Sequence, residues 1–205
     1  MPLPPLKDPP GLAGRARRLG LAVPATAFLG SSLLLANLVQ TLSLALWPVS
    51  RRTFRKVNRE LADWWWGMCV TLSWRIHGIH LELSGDELPV AENALVVANH
   101  QQMPDITFLM ILARQKERLG DLKWFVKDAL KWVPGIGWGM VFLDCIFVKR
   151  DCAADAASID ATFRRVRRDD VPLWLVSFPA GTRISPPTAA ASHALAEARA
   201  LPPLE

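Results

Sequence analysis

The feature that most constrains this chain is a run without charged side chains at residues 19–50. Its apolar centre, residues 25–47, is long enough to cross a hydrocarbon core of about 30 Å as a helix. Pro24, Asn37 and Gln40 interrupt the run, so a single span and a helical hairpin that dips into one leaflet are both open interpretations. A secretory signal peptide is disfavoured, because the run is longer than a typical signal core and no convincing cleavage site follows it. We therefore predict that residues 19–50 are embedded in a membrane.

Basic residues flank the uncharged run on both sides. Residues 1–18 are rich in proline and small residues and predict a flexible basic tail. The cluster on the carboxyl side is the heavier one, which favours a cytoplasmic location for the remainder of the chain. The flanking basic residues are Arg15, Arg17 and Arg18 before the run, and Arg51, Arg52, Arg55, Lys56 and Arg59 after it.

Composition narrows the function classes. A net charge of +5 suits anionic partners, and phospholipid headgroups fit as well as nucleic acid does. The hydrophobic share of 51%, with nine Trp and no Tyr, indicates that part of the surface contacts lipid. The uncharged run disfavours a soluble nucleic-acid-binding domain. The three cysteines have no ligand spacing, so neither a disulfide framework nor a zinc site is indicated, and a reducing compartment is the simplest inference.

The segment at residues 51–75 contains three consecutive tryptophans, Trp64, Trp65 and Trp66. Its apolar part is too short to cross a bilayer. A helix at the membrane interface and a helix of the protein core are the two interpretations, and the neighbouring uncharged run favours the interface. Farther on, the alternation at residues 81–83 predicts a short strand, and His77 and His80 are interpreted as ordinary surface or turn residues.

Short apolar runs alternate with helical patterns in the last part of the chain. This alternation predicts an α/β domain at residues 76–205, with a mostly parallel sheet flanked by helices. In such sheets ligands collect at the carboxyl ends of the strands. The predicted strands cover residues 94–98, 124–126, 146–148 and 173–178, and the predicted helices cover residues 106–116, 128–132 and 153–168.

His100 and Asp105 lie in a predicted strand-to-helix loop, where a rigid scaffold can project polar side chains. If Asp105 holds one ring nitrogen of His100, the other nitrogen is free to accept a proton from a substrate. The plainer interpretation is a loop histidine with no chemical role, followed by an aspartate that caps the next helix. For an isolated pair with this spacing, the plainer interpretation is the better one.

Two further loops follow predicted strands and carry basic residues. Lys149 and Arg150 come after residues 146–148, and Gly181, Thr182 and Arg183 come after residues 173–178. A glycine permits close approach of an anion, a threonine hydroxyl can donate to it, and a guanidinium matches phosphate oxygens. The three loops together predict a histidine base facing a substrate that bears a phosphate. By contrast, the arginines at residues 164–168 are interpreted as a solvated helix end.

These segments resemble three ordered motifs of the glycerolipid acyltransferase family, whose best-known members acylate lysophosphatidic acid. The first motif is Asn99-His100 with Asp105, the second is Phe147-Val148-Lys149-Arg150, and the third is Phe178-Pro179 with Gly181-Thr182-Arg183. Residues 124–127 and 132–137 resemble the segment that joins the first two motifs, so the similarity covers roughly residues 61–183. H-x4-D alone is a weak signal, but three motifs in order after a membrane anchor are a strong combination.

The resemblance implies an O-acyltransferase of phospholipid biosynthesis. His100 and Asp105 would be catalytic, and Arg150, Gly181, Thr182 and Arg183 would bind the acceptor phosphate. The donor would be an acyl-CoA or acyl-carrier-protein thioester, with no bound cofactor and no metal. The protein would be an integral or monotopic membrane protein that faces the cytoplasm, at a bacterial inner membrane or the endoplasmic reticulum. Its partners would be membrane lipids, the lysophospholipid acceptor and the donor, and no nucleic acid.

Two departures from the family pattern support an alternative. Ala180 occupies the position where the third motif usually has a glutamate, and a fourth, proline-containing motif would be expected near Glu205, where the sequence ends. The alternative is a catalytically weak or inactive relative that acts as a membrane lipid-binding protein.

Overall fold

The chain begins with two long helices and continues as an alternating α/β domain. The structure is a computed structural model that describes residues 11–79, 81–149, 151–179 and 186–199. Its helices are α1 (Leu12–Ser43), α2 (Arg51–His77), α3 (Pro104–Gln115), α4 (Ile136–Phe142), α5 (Cys152–Arg168) and α6 (Pro186–Ala198). Its strands are β1 (Ala94–Val97), β2 (Leu122–Lys127), β3 (Ile146–Val148) and β4 (Trp174–Ser177), and short 3₁₀ helices cover Leu44–Leu46, Leu119–Asp121 and Asp128–Trp132.

Helix α1 and the 3₁₀ turn after it form the one element in the described ranges that is long and apolar enough to span a membrane. The helix begins at Leu12, so residues 12–18, which the sequence places in a tail, are helical. It continues through Pro24 without a break. The chain then reverses before Arg51, and α2 returns along α1, because Asn58 contacts Ser43 while Trp65 contacts Leu29. The uncharged run is thus one helix and its turn, and the helical hairpin is formed by α1 with α2.

The polar residues that interrupt the uncharged run point into the protein. Asn37 and Gln40 are 4% exposed, and the Asn37 amide donates a 2.9 Å hydrogen bond to Gln40 Oε1. Ser43 is also buried and accepts a 3.0 Å hydrogen bond from the Asn58 amide of α2. Burial of a polar side chain in apolar surroundings is costly without a partner; Asn37 and Gln40 pair within α1, whereas Ser43 and Asn58 pair between the two helices.

One face of helix α2 is buried in the protein core, and the rest of its surface is more exposed. Its buried residues recur every four positions, which places them on one face. The hydroxyl oxygen of Ser50 accepts a hydrogen bond from Thr53 N–H at the start of the helix, and Gly78 ends it in a left-handed conformation with φ 64°. Trp66 lies on the buried stripe, whereas Trp64 is 48% exposed. The buried stripe comprises Phe54, Asn58, Ala62, Trp66 and Val70.

The four strands are parallel and lie in the order β1-β4-β2-β3. One face of the sheet packs on α2 and α3, because alternate residues of β2 and β4 point into a common apolar cluster. That cluster includes Leu122, Trp124, Trp174 and Val176 from the strands. The alternation of strands and helices predicted from the sequence is confirmed, and with it the mostly parallel α/β fold.

Local details of the structure differ from the sequence-based expectations. Residues 81–83 form no strand: they lie in a loop between a left-handed residue, Gly78, and a bend at Gly85 and Asp86, and they have no strand partner among the described residues. The helix predicted at residues 128–132 is a 3₁₀ helix. Helices α4 and α6 were not predicted, because α4 has two glycines among seven residues and α6 begins with two prolines.

Candidate active site

The loop between β1 and α3 holds the predicted His–Asp pair in contact. His100 Nδ1 lies 3.0 Å from Asp105 Oδ2. Pro104 is the first residue of α3 and Asp105 belongs to its first turn, so the carboxylate is fixed by the helix start while the histidine belongs to the loop. Because Asp105 holds the Nδ1 side of the ring, the Nε2 side is the one left to meet a substrate.

Asp105 is held in place by the backbone of its own loop. Its Oδ2 atom also accepts hydrogen bonds from Gln101 N–H at 2.7 Å and from Gln102 N–H at 2.9 Å. Partial burial by itself raises the pKa of this carboxyl. The hydrogen bonds from Gln102, His100 and Gln101 outweigh burial, so the pKa of Asp105 lies below its ordinary value. An ionised Asp105 is therefore the resting partner of the His100 ring at neutral pH.

An aromatic ring packs on the imidazole from the neighbouring strand. Phe178 follows β4 directly, and its ring is stacked on His100 with centroids 4.5 Å apart and planes at 23°. The ring of Trp124 in β2 stacks in turn on Phe178, with centroids 6.4 Å apart. The His100 ring is thus fixed through Nδ1 by a carboxylate and on one face by an aromatic ring, and its side chain is 14% exposed. Both contacts hold the ring in one orientation.

Two lysines lie at the same edge of the sheet as His100. Lys127 is the last residue of β2, Lys149 follows β3, and both are exposed. Within the described ranges neither ammonium group has a carboxylate within ion-pair distance. The loop after β3 is shaped by Asp155, whose carboxylate accepts hydrogen bonds from Lys149 N–H at 2.8 Å and from Asp151 N–H at 3.1 Å. The carboxyl edge therefore combines a histidine base with unpaired positive charge.

The predicted phosphate-binding residues, Arg150 and Gly181-Thr182-Arg183, lie outside the described residues, as do Ala180 and His80. The strands that precede them are described. β4 is the direct neighbour of β1, whereas β3 is at the opposite edge of the sheet. Since adjacent strands are about 4.8 Å apart, β3 lies roughly 14 Å from β1. The sequence alone does not show that the loop after β4 begins beside His100 whereas the loop after β3 begins at the far edge of the sheet.

Two residues of this region were not singled out by the sequence. The sequence places Phe178 in a motif, but nothing in the sequence shows which ring it contacts. The sequence places Lys127 in a segment that joins two motifs, although a basic residue at the end of a predicted strand can indicate an anion-binding position. The strand order shows that Lys127 lies near His100, because β2 is two strands from β1 in the sheet.

A second set of charges, which we call the amino-edge cluster, surrounds the amino ends of the strands. Arg55 of α2 contacts Asp144 and also donates to Asp169 at 2.8 Å, while Asp144 further pairs with Arg165 at 2.9 Å. Asp121, 2% exposed, accepts from Arg59 at 2.6 Å. In addition, Arg118 donates to Asp121 at 2.9 Å. These charges neutralise one another, in contrast to those at the carboxyl edge.

The contact between His100 and Asp105 indicates a kind of catalytic site. A histidine with an ionised carboxylate partner at the carboxyl edge of a parallel sheet is an arrangement for general base catalysis on a bound hydroxyl. In the described part of the chain no group of three metal-ligating side chains accompanies it.

Comparison with known proteins identifies the family. The family model described as "Acyltransferase" matches residues 80–199, which is more than half of the chain, so the chain belongs to the acyltransferase family. It is 30% identical over 181 residues to "1-acyl-sn-glycerol-3-phosphate acyltransferase 3" of Arabidopsis thaliana, covering 82% of this chain and 46% of that protein. It is 31% identical over 176 residues to "1-acyl-sn-glycerol-3-phosphate acyltransferase gamma" of Homo sapiens, covering 84% and 47%. The chain thus spans about half the length of these relatives. No solved structure matches the chain significantly.

Proposed function

We propose that this chain transfers a fatty acyl group from an acyl thioester to the free hydroxyl of a lysophospholipid, with lysophosphatidic acid as the favoured acceptor. The observation that carries the proposal is the 3.0 Å contact between His100 Nδ1 and Asp105, in a chain of the acyltransferase family. The names of the two relatives give 1-acyl-sn-glycerol-3-phosphate, which is lysophosphatidic acid, as their acceptor.

In the proposed mechanism His100 Nε2 accepts the proton of the acceptor hydroxyl as its oxygen attacks the thioester carbonyl. Asp105 fixes the tautomer and stabilises the imidazolium that forms. Backbone N–H groups stabilise the oxyanion, the C–S bond then breaks, and the imidazolium returns its proton to the departing sulfur. Base catalysis of this kind contributes ~10²–10⁴-fold, so alignment of the two substrates supplies much of the remaining acceleration.

The acceptor phosphate is proposed to bind to Arg150 and to the Gly181-Thr182-Arg183 loop. Lys127 adds to this set because its exposed amine lies at the same edge of the sheet as His100. A charge-assisted hydrogen bond to phosphate is stronger than a neutral one, and several of them also fix the register of the acceptor hydroxyl. The uncharged helix α1 is proposed to be embedded in the membrane with the domain on its cytoplasmic side, so that the acceptor reaches the site from the lipid.

The test is a free-thiol release assay on detergent-purified protein. Acyl-CoA and acyl-carrier-protein donors are each combined with a panel of lysophospholipids that differ in headgroup. We expect thiol release that depends on lysophosphatidic acid, together with formation of the diacyl product.

The matched pair of variants is His100→Ala and His77→Ala. His77 is an exposed histidine in the last turn of α2, so it controls for the loss of an imidazole. We expect His100→Ala to abolish acceptor-dependent thiol release and His77→Ala to retain it. Unchanged turnover in His100→Ala would remove the ring from the catalytic role.

A second candidate function is favoured by Ala180, which replaces the glutamate expected in the third motif. In this alternative the chain binds membrane lipids without transferring an acyl group. Retention of labelled lysophosphatidic acid by the purified protein, without thiol release from either donor, would favour it. In that case Ala180→Glu is the variant expected to restore turnover.

A further inference from the structure

An apolar surface without a protein partner lies beside α1, on the segment that joins β2 to β3. Trp132 is 75% exposed, Val141 is 52% exposed and Trp138 is 46% exposed. Such exposure of large apolar side chains next to one another is uncommon on the water-facing surface of a protein. We call this surface the apolar ledge; it comprises Leu130, Trp132, Val133, Ile136, Trp138 and Val141.

Apart from Lys131, near its start, the ledge is free of charge. No charged residue occurs at residues 132–143, and the charges nearest to it, Lys131 and Asp144, are at its two ends. Lys131 ion-pairs with Asp128 at 2.8 Å, and its ammonium group lies 5.5 Å from the centroid of the Trp132 ring. The charge of Lys131 is therefore paired with a carboxylate and lies close to an aromatic ring, which lowers the cost of placing it on an apolar surface.

The position of the ledge relative to α1 comes from close backbone contact. A Cβ atom on Gly139 would lie 3.6 Å from both Asn37 Nδ2 and Gln40 Oε1, and one on Gly135 would lie 2.9 Å from the Leu33 side chain. The ledge therefore lies alongside residues 33–40, in the interior of the uncharged run. Any membrane that covers this part of α1 also reaches the ledge.

The surface of α1 in this region is apolar and exposed as well. Leu34, Leu35 and Leu38 are each more than half exposed, while the polar residues of the same turns are buried. Ledge and helix are thus two apolar surfaces on elements that pack against each other.

We propose that the apolar ledge inserts into the same membrane leaflet as α1 and forms a second point of lipid attachment. The occupant is the lipid of that leaflet, since the ledge adjoins a helix with the length and composition of a membrane helix. This inference rests on α1 being embedded and is independent of the proposed acyl transfer. Two contacts with the leaflet, α1 and the ledge, fix the tilt of the domain relative to the membrane.

The first test uses the unaltered chain in vesicles of phosphatidylcholine and phosphatidylglycerol that contain a diazirine-bearing acyl chain. After photolysis, modified residues are located by peptide mass spectrometry. We expect modification in residues 130–141 as well as in α1, and none at Phe163. Phe163 is a matched control because it is an apolar side chain that is 40% exposed on α5 and lies away from the ledge. The side of α5 that faces Val141 is lined by Ala161 and Thr162 and does not include Phe163.

Two results of this labelling would overturn the proposal. Modification of α1 without modification of residues 130–141 would show that the ledge stays in water. No modification of α1 would remove the anchor on which the ledge depends. Neither result depends on thiol release, so the proposed acyl transfer is judged separately.

The second test measures quenching of tryptophan emission by brominated lipids. Trp132→Phe and Trp138→Phe are conservative changes at exposed positions and are each expected to remove part of the quenched emission. Trp174→Phe is the control because Trp174 is buried in β4, and it should leave the quenched intensity unchanged. Equal quenched intensity in all three variants would contradict insertion of the ledge.

Discussion

The two edges of the sheet carry charge in opposite ways. At the amino edge Arg55, Asp144 and Asp169 are largely buried and pair with one another across three elements. At the carboxyl edge Lys127 and Lys149 are exposed, with no carboxylate partner within the described ranges. The carboxylate of Asp105, at the same edge, is in contact with the His100 ring.

This difference shows which charges are available for a ligand. A cation that is paired with a buried carboxylate attracts a phosphate only weakly. Removing either member of such a pair leaves an uncompensated buried charge, which destabilises the fold. An exposed lysine without a partner costs the fold little and remains free to bind an anion. Stability is thus expected to depend on the amino edge and activity on the carboxyl edge.

The largest expected effect separates two aspartates. Asp105→Asn removes the charge that fixes the His100 tautomer and is expected to lower kcat ~10²–10⁴-fold. Asp169→Asn, the matched change at the amino edge, is expected to leave kcat of the folded protein unchanged. The measurement is acceptor-dependent thiol release by both variants at equal folded concentration. Comparable losses of kcat in the two variants would contradict the division of roles.

The converse prediction concerns stability. Arg55→Met leaves Asp144 and Asp169 each with one fewer partner, and it is expected to lower the free energy of unfolding by about 3 kcal/mol. The measurement is urea denaturation in detergent micelles, with the turnover of the native fraction recorded in parallel. If Arg55→Met instead alters turnover and spares stability, the amino-edge cluster has a role in the site.

A smaller effect is expected for the unpaired lysines. Lys127→Gln removes one charge-assisted contact to the acceptor phosphate and is expected to raise KM for the acceptor about 10-fold, since such a bond contributes about 1.5–3 kcal/mol. Lys56→Gln, an exposed lysine of α2 on the amino side, is the control and should leave KM unchanged. Equal KM values for the two variants would remove Lys127 from the phosphate site.

The smallest effect is a pH dependence of stability. The folded-state pKa of Asp105 is below its unfolded value, so the ionised carboxylate stabilises the fold above about pH 4, and this contribution is lost as pH falls through the folded pKa. The carboxyl is partly exposed, so the contribution is expected to be below about 1 kcal/mol. Thermal unfolding of the parent and Asp105→Asn should differ at neutral pH and converge in acid. A difference that grows in acid would contradict the direction of the shift.

Elements with strong periodic patterns were predictable from sequence. The apolar runs of β1, β3 and β4 and the long pattern of α5 appear where the sequence places them, because burial on a sheet or along a helix face dictates those patterns. Helix α4 was not predicted, because its two glycines disfavour a helix and instead allow close packing, Gly137 on Leu130 and Gly139 on α1. The strand order was equally inaccessible, because pairing of β1 with β4 depends on tertiary contacts between distant segments.

The site was predictable in part. The contact between His100 and Asp105 follows from their spacing across a strand-to-helix junction, and the structure contains it. The stacking of Phe178 on His100 could not be predicted, because it depends on β4 lying next to β1. The catalytic and phosphate-binding roles stay predictions until turnover is measured.

The stacking of Phe178 on His100 also supplies a spectroscopic reporter. With ring centroids 4.5 Å apart, the circulating electrons of the phenyl group shield the imidazole C–H protons, so their magnetic resonance lines move upfield of those of His77. Replacing Phe178 by leucine would return the His100 lines towards the frequencies of an unshielded ring. Titrating the acceptor while following these lines would then show directly whether the ligand reaches this imidazole.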